Sequence, residues 1–363
     1  MVQNLLSQEK SKEVNFMSKY IKISIEKNTG IIALNRPNAI NALNFEMIKA
    51  IERALDEFEV NSAINGVLLK SATPRGFCAG GDIRAARQYA LDGNIKEMKN
   101  FFAAEYALDG KIAKYKKLLI VLTDGIVMGG GLGLAGHARF RITTTQSRFA
   151  MPEAAIGFVC DCAIDAILAK IERHIALAFL MSGEIVSADD ALALGLTDCI
   201  IAPDAISLVE KKLIDAMRGD GALTKINEIL AIENQPKKDT PFINKANICK
   251  SAFTKASSIE IINNLKDLSQ KTPHAKSLYQ KLINLCPTSL SAIVISHDKA
   301  RQNNELDLIL HNDFLLATWI AARDDFAEGV RAVVIDKDQN PNWQPSDFKQ
   351  VDEEKIHSIL EKF

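Results

Sequence analysis

The sequence lacks the features that mark several large classes of protein. Its 363 residues contain no apolar run of about 18, the length that a membrane-spanning helix needs. Basic side chains number 44 and acidic ones 45, so the formal charge of -1 gives no excess for binding nucleic acid or an anionic membrane. The polar first stretch contains acids and no apolar block, unlike a secretory signal. We therefore expect neither a nucleic-acid nor a membrane partner.

Cysteine is scarce and scattered rather than arranged in pairs. Six cysteines in a long chain, in apolar surroundings, are typical of reduced buried thiols and predict a cytoplasmic protein without disulfides. Cys160 and Cys162 stand close together, but no further Cys or His follows at ligand spacing. We therefore predict no metal site. The six are Cys78, Cys160, Cys162, Cys199, Cys249 and Cys286.

Two common nucleotide-binding motifs are also missing. The chain has no Walker Gly-Lys-Ser/Thr, and its first predicted strand lacks the glycine fingerprint of a Rossmann fold. These absences exclude the usual phosphate-loop and dinucleotide-binding readings. They leave a chain of ordinary globular composition, 47% hydrophobic and 25% charged.

The patterns that are present predict strands alternating with helices. Apolar and polar residues alternate on either side of Asn28-Thr29-Gly30, which predicts a hairpin over 20–34. From Asn44, a plausible N-cap, apolar residues recur at helical spacing. Further strands are predicted at 66–69 and 118–122, with a helix at 94–115 between them. This order favours an α/β fold with right-handed crossovers.

The pattern changes along the chain and suggests three regions. We predict a disordered N-terminal extension at residues 1–17 and an α/β core at 18–205. Residues 206–363 form a more polar, mainly helical region, with a surface connector at 237–241.

Two glycine segments follow predicted strands and precede predicted helices. Gly80-Gly81 stands before Asp82, and Gly129-Gly130-Gly131 comes after the strand predicted at 118–122. Glycines let backbone N–H groups turn toward a ligand, and two such donors facing each other would hold an oxyanion. The plainer alternative is that both are tight turns with helix-capping glycines.

A third stretch, 149–165, places two acids in apolar surroundings. Glu153 follows Pro152 at the end of an apolar run, where partial desolvation would raise the pKa of its carboxyl and make it a better base. A structural acid paired with Arg148 is the alternative. Asp161 lies eight residues further on.

These segments together resemble the crotonase (enoyl-CoA hydratase/isomerase) superfamily over roughly residues 18 to 205. The C-terminal region is similar to the 3-hydroxyisobutyryl-CoA hydrolase branch, so the resemblance extends over nearly the whole chain. The matching segments are 35–37, 41–43, 77–83, 129–131 and 151–153 in the core, and 286–290, 325–338 and 342–345 beyond it.

The resemblance implies a crotonase-type ββα spiral with a helical C-terminal extension, and it implies roles for five residues. The N–H groups of Gly81 and Gly130 would hold the thioester oxygen. Glu153 would act on the thioester carbon, directly or through water. Asp161 would hold a 3-hydroxyl of the substrate, and Glu105 would contact the substrate.

The activity implied is hydrolysis of a short branched 3-hydroxyacyl-CoA, namely 3-hydroxyisobutyryl-CoA in valine catabolism. Coenzyme A would be part of the substrate, and no separate cofactor is expected. Hydratases of the superfamily use a second glutamate at a position where this chain has Gly133, which favours a hydrolase. An enoyl-CoA hydratase or isomerase, and a catalytically inactive acyl-CoA-binding or assembly protein, are the alternatives. A homo-oligomer is left open.

One loop departs from the branch's pattern. Pro-Asp-Val-Gly-Gly is replaced by Cys160-Asp161-Cys162-Ala163-Ile164, without the proline and glycines that fix or free the backbone. A changed loop and a changed orientation of Asp161 are therefore predicted. His137, His174 and His297 stand alone and are interpreted as structural or surface residues.

Overall fold

The computed structural model describes residues 12–13 and 18–361, and its main feature is a seven-stranded sheet. The strand order is β1-β2-β3-β4-β6-β8-β10. The strands are β1 (Lys12–Glu13), β2 (Ile21–Glu26), β3 (Thr29–Leu34), β4 (Gly66–Ser71), β6 (Leu118–Thr123), β8 (Phe140–Thr144) and β10 (Cys199–Ile201). The predicted N-terminal extension lies outside the described residues, apart from 12–13.

The pairing within this sheet confirms the α/β prediction. β2 and β3 form the predicted antiparallel hairpin, with Ile21 opposite Leu34 and Glu26 opposite Thr29. From β3 onward the neighbours β4, β6, β8 and β10 pair in parallel. Parallel neighbours require crossover connections, which the intervening helices provide.

A second, three-stranded parallel sheet was not predicted. Its strands are β5 (Gly76–Cys78), β7 (Ile126–Met128) and β9 (Arg148–Ala150), in that order. Each follows a long strand of the main sheet, so each turn of the spiral adds one strand to each sheet. Because parallel strands end at the same edge, the segments after β5, β7 and β9 are brought together there.

The helices of the first region begin where the sequence places caps. Asn44 accepts a hydrogen bond from the Met47 amide, and Asp82 accepts one from the Ala85 amide. The helices are α1 (Phe45–Val60), α2 (Ile83–Leu91), α3 (Ile95–Ala113), α4 (Gly130–Gly136), α5 (Ile164–Leu168), α6 (Arg173–Ser182) and α7 (Ala188–Ala193), with 3₁₀ turns at Pro37–Ala39, Glu153–Ile156 and Pro203–Ala205.

Helices fill the rest of the described chain. They are α8 (Ile206–Ala216), α9 (Ala222–Glu233), α10 (Pro241–Ile248), α11 (Lys250–Phe253), α12 (Ser258–Leu268), α13 (Pro273–Leu282), α14 (Pro287–Gln302), α15 (Leu306–Ala321), α16 (Asp324–Val330) and α17 (Glu353–Leu360), with a π-helical turn at Arg331–Ile335 and a 3₁₀ turn at Phe348–Gln350. None of the helices in the described ranges has the length and apolar character needed to cross a membrane.

One hydrophobic cluster joins the two regions. It runs from Ile21 of β2 to Leu360 of α17 and includes buried residues of both. A second cluster lies between the main sheet and the α8 and α9 helices. The division at residue 205 stays a prediction, since the shared core does not mark a boundary there.

Candidate active site

The end of the small sheet brings together the three segments that the sequence singled out. Gly80-Gly81 follows β5, Gly129-Gly130 follows β7, and Glu153 follows β9. A Cβ atom added to Gly129 would lie 2.7 Å from Glu153 Oε1 and 3.6 Å from the Gly80 Cα. The carboxyl therefore lies against both glycine segments.

The backbone nitrogens of Gly81 and Gly130 lie close together beside the cavity. A Cβ added to Gly130 would lie 3.2 Å from the Gly81 nitrogen, and one added to Gly80 would lie 3.6 Å from the Gly130 nitrogen. Gly130 is the first residue of α4, so its N–H has no acceptor within the helix. Within the described residues, neither amide donates a hydrogen bond to another group.

Glu153 is buried at the start of its 3₁₀ turn, with 6% of its surface exposed. Burial, and then the charge of Asp161, raises the pKa of the Glu153 carboxyl well above its usual range. The Cys160 thiol donates to Glu153 Oε2 at 3.7 Å. Arg148 is not a partner of Glu153, because its guanidinium bonds the Ser147 carbonyl at 2.8 Å.

Asp161 is buried near Glu153 and is held by two donors. The Tyr106 hydroxyl donates to Asp161 Oδ2 at 2.6 Å, and the Cys162 thiol donates to Oδ1 at 3.5 Å. Burial raises the pKa of Asp161 to about 6, against the opposing effect of these two hydrogen bonds.

The loop after Asp161 makes a left-handed turn without glycine. Cys162 has φ 58° and Ala163 has φ 51°, a conformation that costs a non-glycine residue about 1–2 kcal/mol. Asp313 of α15 accepts from the Ala163 amide at 2.7 Å, and His137 Nε2 bonds the Cys162 carbonyl at 2.8 Å. Contacts from α15 and from His137 hold the backbone where glycines are missing.

Glu105 of α3 lies against the glycines Gly81 and Gly130. A Cβ added to Gly81 would be 3.5 Å from Glu105 Oε1, and this oxygen has no hydrogen-bond partner among the described residues. Burial, followed by the charge of Asp161, raises the pKa of Glu105 well above its usual range. The five residues that the resemblance assigned to the site are thus brought together.

Two buried residues next to the site were not predicted from the sequence, Tyr106 and Asp109. Asp109 lies one helical turn after Glu105, is 1% exposed, and has an unpartnered Oδ2. Its Oδ1 would be 2.7 Å from a Cβ added to Gly133, so it fills the space beside that glycine. The spacing of Glu105 and Asp109 on one helix was a signal for a shared face.

A cavity of about 190 Å³ lies between these segments, and helices from the C-terminal region close it. Its lining includes both glycine pairs, three acids and apolar side chains: Gly80, Gly81, Phe101, Phe102, Glu105, Gly129, Gly130, Glu153, Ile156, Phe158, Asp161, Phe326, Val333 and Val334. A larger groove of about 580 Å³ lies between α3 and α15, but it contains none of Glu105, Glu153 and Asp161. The smaller cavity is therefore the candidate site.

The helix α16 lies directly on the turn that carries Glu153. A Cβ added to Gly329 would overlap the Ile156 backbone, and one added to Gly157 would overlap the Asp325 carbonyl. Backbone contact this close is possible only because both residues are glycine. The C-terminal region is thus in direct backbone contact with the 3₁₀ turn of Glu153.

The remaining side chains considered from the sequence have partners within the fold. His174 bonds Asn247 at 2.8 Å, and His297 bonds Asp165 at 2.7 Å. The six cysteines are free and buried. In the described part of the chain, no three His, Cys, Asp or Glu side chains form a group that could hold a metal ion.

Comparison with known proteins gives a family and several relatives. The family model described as enoyl-CoA hydratase/isomerase matches residues 29–360. A relative from Danio rerio, described as 3-hydroxyisobutyryl-CoA hydrolase, mitochondrial, is 32% identical over 330 residues, which are 90% of this chain and 85% of the relative. A solved carnitinyl-CoA dehydratase from Mycobacterium thermoresistibile has a TM-score of 0.87 and 28% identity, and the match covers 95% of this chain and 97% of that one.

A further relative has a different description. The small ribosomal subunit protein mS47 of Schizosaccharomyces pombe is 31% identical over 325 residues, 87% of this chain and 74% of its own length.

These relatives correct the predicted location. The cytoplasmic prediction is wrong, because the relative from Danio rerio is described as a mitochondrial protein. Buried reduced thiols argue against an oxidising compartment, but they do not distinguish one reducing compartment from another.

Proposed function

The chain belongs to the enoyl-CoA hydratase/isomerase family, and from this membership we propose that it hydrolyses the thioester of 3-hydroxyisobutyryl-CoA. The observation that carries the proposal is the convergence of one buried acid, Glu153, with the two free amides of Gly81 and Gly130 on a small cavity. The description of the relative from Danio rerio supports the same activity.

The two amides would bind the thioester oxygen as negative charge develops on it. Attack on the thioester carbon converts the carbonyl to a tetrahedral oxyanion, which needs hydrogen-bond donors already aimed at it. Gly81 and Gly130 supply two N–H groups that have no other acceptor among the described residues. Removing one such donor typically lowers the rate by roughly 10²–10³-fold.

Glu153 would act on the thioester carbon either directly or through water. If the carboxylate attacks directly, a C–O bond forms, the C–S bond breaks, and coenzyme A leaves as its thiol after protonation. Water then cleaves the resulting anhydride and regenerates the carboxylate. If Glu153 instead removes a proton from water, hydroxide attacks the same carbon and the same C–S bond breaks. Its raised pKa suits either role, because it makes the carboxylate more basic.

Asp161 would select substrates with a 3-hydroxyl group. Its carboxyl lines the cavity together with Glu153, and it can accept a hydrogen bond from a hydroxyl two carbons beyond the thioester carbon. Glu105 also lines the cavity, beside Gly81 and Gly130, and would contact the acyl group near the amides. Apolar side chains, among them Phe102, Phe158 and Phe326, would surround the branched carbon chain.

A substrate panel with the wild-type protein tests this function. We expect free thiol to be released from 3-hydroxyisobutyryl-CoA, and crotonyl-CoA to keep its enoyl absorbance. Loss of enoyl absorbance without thiol release would instead favour a hydratase, a reaction class that the dehydratase among the solved structures makes worth testing. Gly133, with no side-chain acid of its own, favours the hydrolase.

The ribosomal relative supports a second candidate, a protein that binds acyl-CoA or an assembly partner without turnover. The mS47 protein, a relative of this chain, is described as a ribosomal subunit protein and not as an enzyme. The panel separates the two candidates, because tight acyl-CoA binding with neither thiol release nor enoyl loss would favour the non-catalytic one. The retention of Glu153 and Asp161 in a closed cavity favours the enzyme.

A further inference from the structure

Tyr106 makes a short, buried hydrogen bond to Asp161 without touching the cavity itself. Its hydroxyl donates to Asp161 Oδ2 at 2.6 Å, and 4% of the residue is exposed. The cavity lining contains Asp161 but not Tyr106. The polar contact of Tyr106 with a cavity residue is thus its hydrogen bond to the carboxyl of Asp161.

Resting on the proposed function, we infer that Tyr106 is a positioning residue, which holds Asp161 so that one carboxyl oxygen stays available for the 3-hydroxyl of the substrate. With Oδ2 engaged by the phenol, the side-chain donor to Oδ1 is the Cys162 thiol at 3.5 Å. A thiol is a weak donor and is readily exchanged for a substrate hydroxyl.

The need for such a residue follows from the loop. Its backbone turns at Cys162 and Ala163 in the left-handed region without glycine. The bonds from Asp313 and His137 hold the backbone after Asp161, but not its side chain. Tyr106 is therefore the strong contact that fixes the rotation of the Asp161 carboxyl.

The Tyr106 ring is itself held in place. It stacks on Phe102, with ring centroids 6.1 Å apart, and Phe102 stacks on Phe158 at 5.3 Å. Tyr106 and Phe102 belong to the 19-residue helix α3. A phenol on a rigid helix, packed in an aromatic stack, places its hydroxyl at a fixed point relative to the loop.

The hydrogen bond from Tyr106 also affects the ionisation of Asp161, which is surrounded by other titratable groups. The titratable groups that face it are acids, thiols and the phenol itself: Glu105, Tyr106 and Asp109 of α3, Glu153 of the 3₁₀ turn, Cys160 and Cys162 of its own loop, and Asp313 of α15. A donor to the ionised form lowers the pKa of Asp161, so losing the phenol must raise it.

The test is Tyr106→Phe, assayed by thiol release from 3-hydroxyisobutyryl-CoA and from isobutyryl-CoA, which lacks the hydroxyl. We expect kcat/KM to fall roughly 10- to 100-fold for the hydroxylated thioester, the loss typical of a hydrogen bond to a charged group. For isobutyryl-CoA we expect a change of less than about 3-fold. The acid limb of the pH profile should move to higher pH with the hydroxylated substrate.

A matched control is Tyr115→Phe on the same chain. The Tyr115 hydroxyl donates to the Leu55 carbonyl at 2.8 Å, away from the cavity. Removing it deletes an equivalent group, and we expect both thioesters to be hydrolysed at wild-type rates. Phenylalanine keeps the ring that stacks on Phe102, and the melting temperature of each variant reports whether the fold is kept.

Two results would overturn the inference: an equal loss on both thioesters, or no loss on either. If the wild-type protein releases thiol from neither, the proposed function fails, and the role of Tyr106 is decided by a separate measurement. Carbon-13 NMR of labelled aspartate in the unliganded protein follows the pKa of Asp161. An upward move in Tyr106→Phe but not in Tyr115→Phe supports the positioning role, and an unchanged pKa rejects it.

Discussion

At the scale of single residues, the site is an unusual concentration of buried carboxyls. Glu105, Asp109, Glu153, Asp161 and Asp313 each have a pKa raised mainly by burial. Buried charge destabilises the folded chain unless it is paired. Acids kept at such a cost are typical of sites where ionisation serves chemistry.

The destabilisation caused by a buried acid can be measured at Asp109. This residue does not line the cavity, so its replacement leaves the cavity lining unchanged. Burial, and then the charge of Glu105, raises its pKa well above the usual range. In the unfolded chain it ionises near about pH 4, so above that pH the folded chain holds a proton that the unfolded chain has lost. The free energy of unfolding must then fall as pH rises, up to the pKa in the folded chain.

Asp109→Asn removes this titration and nearly keeps the shape. We expect the free energy of unfolding of the variant, relative to that of wild type, to increase by more than about 1 kcal/mol between about pH 5 and about pH 8. Urea unfolding at the two pH values measures it. Asp220→Asn, at an exposed position, is the control. Its free energy of unfolding should differ from that of wild type by the same amount at both pH values. If the stability of Asp109→Asn relative to wild type did not increase with pH, Asp109 would not be a buried acid that keeps its proton in the folded chain.

Residue patterns predicted part of this site and not the rest. The resemblance assigned Glu105, Glu153 and Asp161, and the structure places all three around one cavity. Tyr106 and Asp109 were not predicted, because only the packing of α3 against the Asp161 loop shows which groups on that helix meet the site. Their roles, like those of the assigned acids, stay predictions until variants are measured.

At the scale of elements, long segments were predictable and short ones were not. The hairpin β2–β3 and the helices α1 and α3 follow from periodicity, and the cap of α1 follows from Asn44. The small sheet was missed because each of its strands has only three residues, too few to show alternation. Yet this sheet brings the glycine segments and Glu153 together.

The contact between α16 and the 3₁₀ turn of Glu153 can be tested by a substitution that adds a single methyl group. Gly329→Ala would force α16 away from the Ile156 backbone, and we expect a destabilisation of about 1–3 kcal/mol. Thiol release should fall as well, because the displaced turn carries Glu153. Denaturant unfolding and the thioester assay measure the two effects.

Gly219→Ala is the matched control for this change. Gly219 is exposed, and an added Cβ would meet no heavy atom within 4 Å. The free energy of unfolding of Gly219→Ala should stay within about 0.5 kcal/mol of the wild-type value, and the variant should be fully active. If Gly329→Ala behaved in the same way, α16 would not be what positions the turn.

At the scale of the whole molecule, the C-terminal helices are part of the site. Phe326, Val333 and Val334 line the cavity more than 150 residues after Glu153 in the chain. A single hydrophobic cluster includes both regions. The helical character of residues 206–361 could be predicted from composition and periodicity, but contacts between segments so distant in sequence could not, because no local pattern encodes them.

The central claim concerns the whole arrangement: one buried acid beside a carbonyl whose oxygen is bound by two backbone amides. Thiol release by Glu153→Gln tests it most directly, since glutamine keeps the shape and removes the charge. We predict that turnover of 3-hydroxyisobutyryl-CoA falls by roughly 10²–10⁴-fold, while the affinity for the thioester changes little. Turnover within a few-fold of wild type, in a variant that still folds and binds, would contradict the account.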